Sequence, residues 1–226
     1  MAVIYGTNAA DTLLGTAGDD QIRGLAGDDI LDGGDGNDLL IGGAGADQLV
    51  GGAGIDTASY EDDNSGAGVT VNLKTGVHTG LAMGDTFNGI EVIRGTTYSD
   101  NFVSGAAADT FDGANGYDTV SYASSAQAIN VTMANGAGTG TGGDAQGDVF
   151  SNMEVITGSA YDDVFTLTAG NITFNGGAGN DVYIINSTGS LGIVELAGGG
   201  DDEIRTSLAN MGMSAEVERL TYTGTA

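Results

Sequence analysis

Glycine and aspartate recur in this chain at intervals of nine residues. From Gly6 onward it divides into GTNAADTLL, GTAGDDQIR, GLAGDDILD, GGDGNDLLI, GGAGADQLV and GGAGIDTAS. Position one is always glycine (Gly6, Gly15, Gly24, Gly33, Gly42, Gly51), and position six is always aspartate (Asp11, Asp20, Asp29, Asp38, Asp47, Asp56). Position eight runs Leu13, Ile22, Leu31, Leu40, Leu49 and then Ala58. Position four is Gly18, Gly27, Gly36, Gly45 and Gly54, with Ala9 the exception. A nine-residue unit cannot bury its own apolar side chain, so units of this kind must stack on one another.

The geometry of one unit follows from its residues. Glycines in the first six positions permit positive φ and tight turning. The last three positions extend as a short strand, with position eight inward and its neighbours outward. Two units then make one coil, with a strand on each side and a loop at each end. Stacked coils set the position-eight residues in two facing ladders and the aspartates in columns along the two edges. At a strand spacing of about 4.8 Å, neighbouring aspartates repel by about 3 kcal/mol per pair at an effective dielectric of 20. A bare column opposes folding. A hard divalent cation would turn it into the main attraction, and carboxylates with turn carbonyls, all oxygen, suit Ca²⁺. The expected class is all-β: one elongated parallel β-solenoid of stacked nonapeptides.

Composition agrees with this. Five Lys and Arg against 31 Asp and Glu give a net charge of −26. Only seven of the acids are glutamate, and aspartate is the residue of turns and oxygen-ligand loops. With so few cations there is no basic footprint for nucleic acid. No run approaches the roughly 18–20 apolar residues of a membrane span, so membrane insertion is not expected. The chain has no cysteine, hence no disulfide and no thiolate site. A hydrophobic fraction of 40% argues against the disorder that so much glycine and charge would otherwise suggest.

The units resemble the nonapeptide GGxGxDxUx of the RTX (repeats-in-toxin, haemolysin-type) family, most closely in GGDGNDLLI and GGAGADQLV. The resemblance implies a parallel β-roll that binds several Ca²⁺ ions between successive turns. It implies a secreted or cell-surface setting, reached through type I secretion, with folding on contact with extracellular calcium. It makes the position-six aspartates side-chain ligands and the glycines turn formers and carbonyl donors. The glycines so implicated are Gly18, Gly27, Gly33, Gly34, Gly36, Gly42, Gly43, Gly45, Gly51, Gly52 and Gly54, and further on Gly176, Gly177 and Gly179. Same-edge pairing predicts four interior sites, joining Asp11 with Asp29, Asp20 with Asp38, Asp29 with Asp47, and Asp38 with Asp56.

Beyond residue 60 the period loosens and returns. GTTYSDNFV (95–103), SGAAADTFD (104–112) and GANGYDTVS (113–121) put Asp100, Asp109 and Asp118 at position six. GSAYDDVFT (158–166) and GGAGNDVYI (176–184) do the same with Asp163 and Asp181, and further ions are expected around these aspartates. Between them, residues 167–175 keep Phe174 at position eight but carry Ile172 where aspartate belongs. A longer repeat overlies the short one: GDTFNGIEVIRGTTYSDNF from Gly84 aligns with GDVFSNMEVITGSAYDDVF from Gly147, an offset of 63. VTVNL (69–73) and INVTM (129–133) alternate as strands, and the glycine-rich stretches 76–84 and 135–147 read as loops bulging from the roll. The expected organisation is a regular roll over 6–60, a degenerate continuation over 61–184, and a degenerate repeat or cap over 185–226. In that last part LAGGGDDEI brings Asp202 to the aspartate column, and 207–220 fits either a short helix or a strand.

Catalysis is not expected. His78, the single histidine, lies in GVHTG and reads as an exposed loop residue, so neither a zinc-hydrolase set nor a Cys–His pair can be assembled. Tyr60 and Tyr122 read as packing or edge aromatics. Two other roles stay open: an adhesive or carbohydrate-binding module facing an extracellular polysaccharide or cell surface, and a polysaccharide-modifying β-solenoid enzyme. An ice-binding face is disfavoured, since outward position seven reads Thr12, Gln21, Ile30, Leu39, Gln48, Thr57 rather than a ladder of Thr or Asn.

Overall fold

The computed structural model describes residues 1–61 and 66–224. Its residues fall into two compact units, Met1–Phe102 with Thr110–Tyr117, and Val103–Asp109 with Asp118–Ala226. The described residues form strands, turns and two 3₁₀ turns, and no α-helix. The strands that carry the repeats pair in parallel, which makes the chain a parallel β-roll.

In the first unit the strands are β1 (Val3–Tyr5), β2 (Thr12–Leu14), β3 (Gln21–Ala26), β4 (Ile30–Asp35), β5 (Leu39–Ala44), β6 (Gln48–Ala53) and β7 (Thr57–Ser59). They are followed by β8 (Thr70–Asn72), β9 (Thr86–Asn88), β10 (Val92–Arg94), β11 (Asn101–Val103) and β12 (Thr110–Asp112). Alternate strands lie side by side, in the orders β1-β3-β5-β7-β10-β12 and β2-β4-β6-β9. The register is one coil of 18 residues: Ile4 opposes Ile22, Ile22 opposes Leu40, and Leu40 opposes Ala58. On the other side Leu13 opposes Leu31 and Leu31 opposes Leu49. From β3 onward the position-eight side chains of these strands are buried. The step then widens, with Leu49 opposite Phe87 and Ala58 opposite Ile93, because β8 and the 3₁₀ turn Gly80–Ala82 intervene. His78 belongs to that insertion and is buried, contrary to the exposed-loop reading. Its Nδ1 accepts the Asn72 N–H at 3.0 Å, and its ring meets the edge of Phe87 with centroids 5.3 Å apart.

In the second unit the strands are β13 (Thr119–Ser121), β14 (Asn130–Ala134), β15 (Ala137–Thr141), β16 (Val149–Ser151), β17 (Val155–Thr157) and β18 (Val164–Ala169). β19 (Ile172–Asn175), β20 (Val182–Ile185), β21 (Leu191–Val194), β22 (Glu203–Thr206) and β23 (Arg219–Tyr222) complete it. The orders are β16-β15-β14-β18-β20-β22-β23 and β21-β19-β17-β13. The stretch 135–147, expected as a loop, contains a strand: β15 pairs antiparallel with both β14 and β16. The reason is local. Asn135 (φ 54°) and Gly136 (φ 77°) are both left-handed, as the two-residue turn that matches strand twist requires. The open question over 207–220 resolves to turns leading into β23, which pairs in parallel with β22.

Where position eight becomes aromatic, the facing ladders stack rings. Phe165 lies against Tyr183, one coil on, with centroids 5.3 Å apart and planes 12° from parallel, and against Phe174 across the core at 5.0 Å. All three are fully buried. Replacing Phe165 with alanine should therefore cost about 3–5 kcal/mol, read as a lowered urea midpoint of the calcium-saturated protein with an unchanged denaturant slope.

Candidate metal centre

Each position-six aspartate closes a glycine turn, and its two carboxylate oxygens do different work. Where one column aspartate follows another, one oxygen accepts the main-chain N–H of the aspartate one coil earlier. On one edge the Asp11 N–H donates to Asp29 Oδ1 at 2.8 Å, the Asp29 N–H to Asp47 Oδ1 at 2.9 Å, and the Asp47 N–H to Asp85 Oδ1 at 2.8 Å. On the other the Asp20 N–H donates to Asp38 Oδ1 and the Asp38 N–H to Asp56 Oδ1, both at 2.7 Å, and the Asp56 N–H to Glu91 Oε2 at 2.8 Å. The second unit repeats the device from Asp163 to Asp181 (2.7 Å) and from Asp181 to Asp202 (2.8 Å). These hydrogen bonds draw the carboxylates inward: Asp20, Asp29, Asp38, Asp47 and Asp56 are between 0 and 2% exposed.

The second oxygen divides the turns into two kinds. In five of them position two donates its N–H to Oδ2: Thr7 to Asp11 (2.6 Å), Thr16 to Asp20 (2.7 Å), Thr96 to Asp100 (2.7 Å), Gly105 to Asp109 (3.1 Å) and Ser159 to Asp163 (2.6 Å). Hydroxyls reinforce this closure, with Thr7 Oγ1 at 2.8 Å and Thr16 Oγ1 at 2.7 Å from the same oxygens. In six others position two has positive φ: Leu25 (81°), Gly34 (96°), Gly43 (104°), Gly52 (110°), Ala114 (65°) and Gly177 (102°). In five of these turns the aspartate, Asp29, Asp38, Asp47, Asp56 or Asp181, buries an Oδ2 that finds no hydrogen-bond donor among the described residues. The turns are thus closed by an N–H or left open.

Position one is glycine in both kinds except the Asp109 turn, where it is Ser104. A Cβ on Gly33 would come within 2.7 Å of the Gly51 carbonyl oxygen one coil on, and one on Gly158 within 2.6 Å of that of Gly176. Position-one Gly42, Gly51 and Gly176 and position-four Gly27, Gly36, Gly45, Gly54 and Gly179 complete the open turns.

Electrostatics follow the burial. Burial first, then the charges of Asp85, Asp29 and Asp28, pushes Asp47 up to about 7. Burial and the neighbouring Asp163, Glu195 and Asp202 push Asp181 up to about 8. Burial also raises Asp29, Asp38 and Asp56. In the closed turn of Asp20, donation from the Ala2 N–H and the Thr16 hydroxyl outweighs burial and lowers its pKa. Closure alone does not set the sign, since burial raises Asp109 and Asp163.

An unpaired buried carboxylate is expensive, and five of them in all-oxygen glycine turns fit a hard cation such as Ca²⁺. Comparison with known families matches the RTX calcium-binding nonapeptide repeat in four copies, at residues 5–40, 30–58, 85–120 and 151–183, more than half of the chain. The chain belongs to the RTX calcium-binding repeat family. No curated protein matches it. The four RTX copies take in every closed and open turn described above.

Several members of the RTX columns escaped the nonapeptide reading. Asp85 and Asp148 stand in the column, but their second oxygens accept Tyr60 Oη and Tyr122 Oη, both at 2.7 Å. The two tyrosines are buried, as packing residues would be, and also cap carboxylates. Asp148 Oδ1 accepts the Asp109 N–H at 2.9 Å, and Glu154 Oε2 accepts that of Asp118 at 2.9 Å. The signal for these was the long repeat, in which GDTFNGIE and GDVFSNME both place a glutamate six residues after the aspartate. An outer ladder at position five was also missed: the Asn37 N–H donates to Asp19 Oδ1 at 2.8 Å and the Ala46 N–H to Asp28 Oδ1 at 3.0 Å.

The pH dependence of the chelated protein follows in sign. Aspartate ionises near 3.8 when unperturbed, whereas folded Asp47 does so at about 7 and Asp181 at about 8. Between these limits the folded state holds protons that the unfolded state has released, so stability falls as pH rises. In excess chelator the β-type circular dichroism should therefore be stronger at pH 5 than at pH 8, with the loss spread over the interval. A signal flat across that range would contradict the burial of unpaired carboxylates.

Proposed function

We propose that this β-roll is a secreted module whose open turns hold Ca²⁺ and whose folding is coupled to that binding. The observation that carries the reading is the set of buried, donorless Oδ2 atoms on Asp29, Asp38, Asp47, Asp56 and Asp181. These carboxylates would be the side-chain ligands, with carbonyl oxygens of the open-turn glycines (33, 34 and 36; 42, 43 and 45; 51, 52 and 54; 176, 177 and 179) completing all-oxygen shells. Calcium would supply the positive charge that the column lacks. Asp11, Asp20, Asp100, Asp109 and Asp163 serve the coil-to-coil contacts with their carboxylates already satisfied by N–H and O–H groups, and hold no ion in this reading.

The wider role follows from the charge. At −26 the chain without calcium repels itself, which suits passage through a type I secretion machine in an extended state. Calcium at the millimolar levels that extracellular modules use then selects the folded state by mass action. The module's work is structural, stabilising a secreted or surface protein of which an extracellular polysaccharide or cell surface would be the partner.

The test is far-UV circular dichroism from zero to about 10 mM CaCl₂, with MgCl₂ as control, paired with an ion count by equilibrium dialysis. Calcium and not magnesium should drive a cooperative gain of β-signal. Asp47→Asn should bind fewer ions and need more calcium to fold, whereas Asp20→Asn should leave the ion count unchanged. Equal losses from both variants would overturn the assignment of ions to open turns, and a β-signal indifferent to calcium would overturn the switch.

A further inference from the structure

Outside the regular turns, one acidic cluster draws on a residue that the nonapeptide does not supply. Glu195 follows β21, past the last stretch that matches the repeat, and it meets Asp181 and Asp202 of the aspartate column. One ligand atom from each of the three lies within 4.8 Å of the other two. Two independent features mark the cluster as built for an occupant. Asp181 is fully buried, and its Oδ2 has no hydrogen-bond donor among the described residues; the same is true of the buried Glu195 Oε2. Three of the remaining oxygens are tied down by other partners. Tyr183 Oη donates to Glu195 Oε1, Asp181 Oδ1 accepts the Asp163 N–H, and Asp202 Oδ1 accepts the Asp181 N–H. Tyr183 thus holds one glutamate oxygen and leaves the other free. The site also depends on Gly176, where any Cβ would collide with Tyr183 Oη, Glu195 Oε1 and Asp181 Oδ2.

We infer that Asp181, Glu195 and Asp202 form a three-carboxylate site for a hard divalent cation, with Glu195 as a ligand from outside the repeat. The regular open turns bring one aspartate column to the ion, whereas here a third carboxylate enters from the end of another strand. Asp202 follows Asp181 by 21 residues rather than 18, and Glu195 stands in the lengthened segment. Glu218 accepts the Asp202 N–H at 2.8 Å and adds further negative charge next to the site. Oxygen-ligand affinity rises with ligand charge, so this site fills before the regular turns. A cavity of about 350 Å³ lies beside the site, with Glu195, Gly177 and Ser159 on its wall.

The inference rests on the calcium reading only for the class of ion, and the full chain tests the two separately. Ca²⁺ is titrated calorimetrically into decalcified wild type, Glu195→Gln and Asp47→Asn. Glutamine keeps an acceptor for Tyr183 and removes the charge. The expected result is that Glu195→Gln weakens the tightest step about tenfold or more and leaves the later steps in place, while Asp47→Asn affects a later step. If Asp47→Asn loses its step and Glu195→Gln titrates like wild type, the three-carboxylate site is wrong and the calcium reading stands. If wild type takes up no calcium, both fail. Should Glu195→Gln not fold, Tyr183→Phe with Tb³⁺ as probe decides. Tyrosine-excited Tb³⁺ emission at the first equivalent should fall, and unchanged emission would overturn the inference.

Discussion

The structure depends on one hydrogen bond repeated from coil to coil, in which a main-chain N–H donates to the carboxylate that closes the next turn on the same edge. It fixes the 18-residue register from the edge, while the position-eight ladder fixes it from the core, and the two agree at each coil from Asp11 to Asp56. A carboxylate used this way must be buried, and burying a charge is tolerable only if its other oxygen also finds a partner. The rest of the chemistry follows from how that second oxygen is satisfied. A threonine or serine turn supplies an N–H and a hydroxyl from within the chain. An open turn, with positive φ at position two, supplies no donor to Oδ2, and in the proposed reading a cation takes that place.

A third solution serves Asp85 and Asp148. Tyr60 and Tyr122 reach the second oxygens of Asp85 and Asp148 with their hydroxyls. Each tyrosine closes a DTxSY segment of the long repeat, so that repeat is in physical terms a stretch of aspartate column with its own tyrosine cap. Burial raises both tyrosine pKa values, so they remain neutral donors. Threonine, tyrosine and cation are thus interchangeable ways to satisfy the same oxygen, and they differ in whether folding depends on the medium. In the proposed reading, only the cation would make it depend on calcium.

Much of this was legible in the sequence because the constraint is periodic. Nine-residue spacing, facing ladders and aspartate columns require only that stacked strands repeat, and Ile22, Leu40 and Ala58 fall where the period puts them. What the period does not encode was harder to read. The insertion that buries His78 and the hairpin at Asn135 and Gly136 lie between repeats. Glycine-rich composition there suggested loops, although Asn-Gly between alternating segments is a strong hairpin signal. The division into open and closed turns depends on φ at position two. Leu25 shows why residue type alone does not reveal it: a leucine holds 81° there, at a cost of about 1–2 kcal/mol, and its turn is open. Glu91, Glu154 and Glu195 were missed because a longer side chain reaches the column from a different place along the chain.

The most direct test of this account is anomalous diffraction from crystals grown in calcium, which locates ions without reference to activity or folding. The account predicts calcium peaks beside Oδ2 of Asp29, Asp38, Asp47, Asp56 and Asp181, and none beside Asp11, Asp20, Asp100, Asp109 or Asp163. Peaks distributed along the columns without regard to position two, or water in the open turns at saturating calcium, would contradict it.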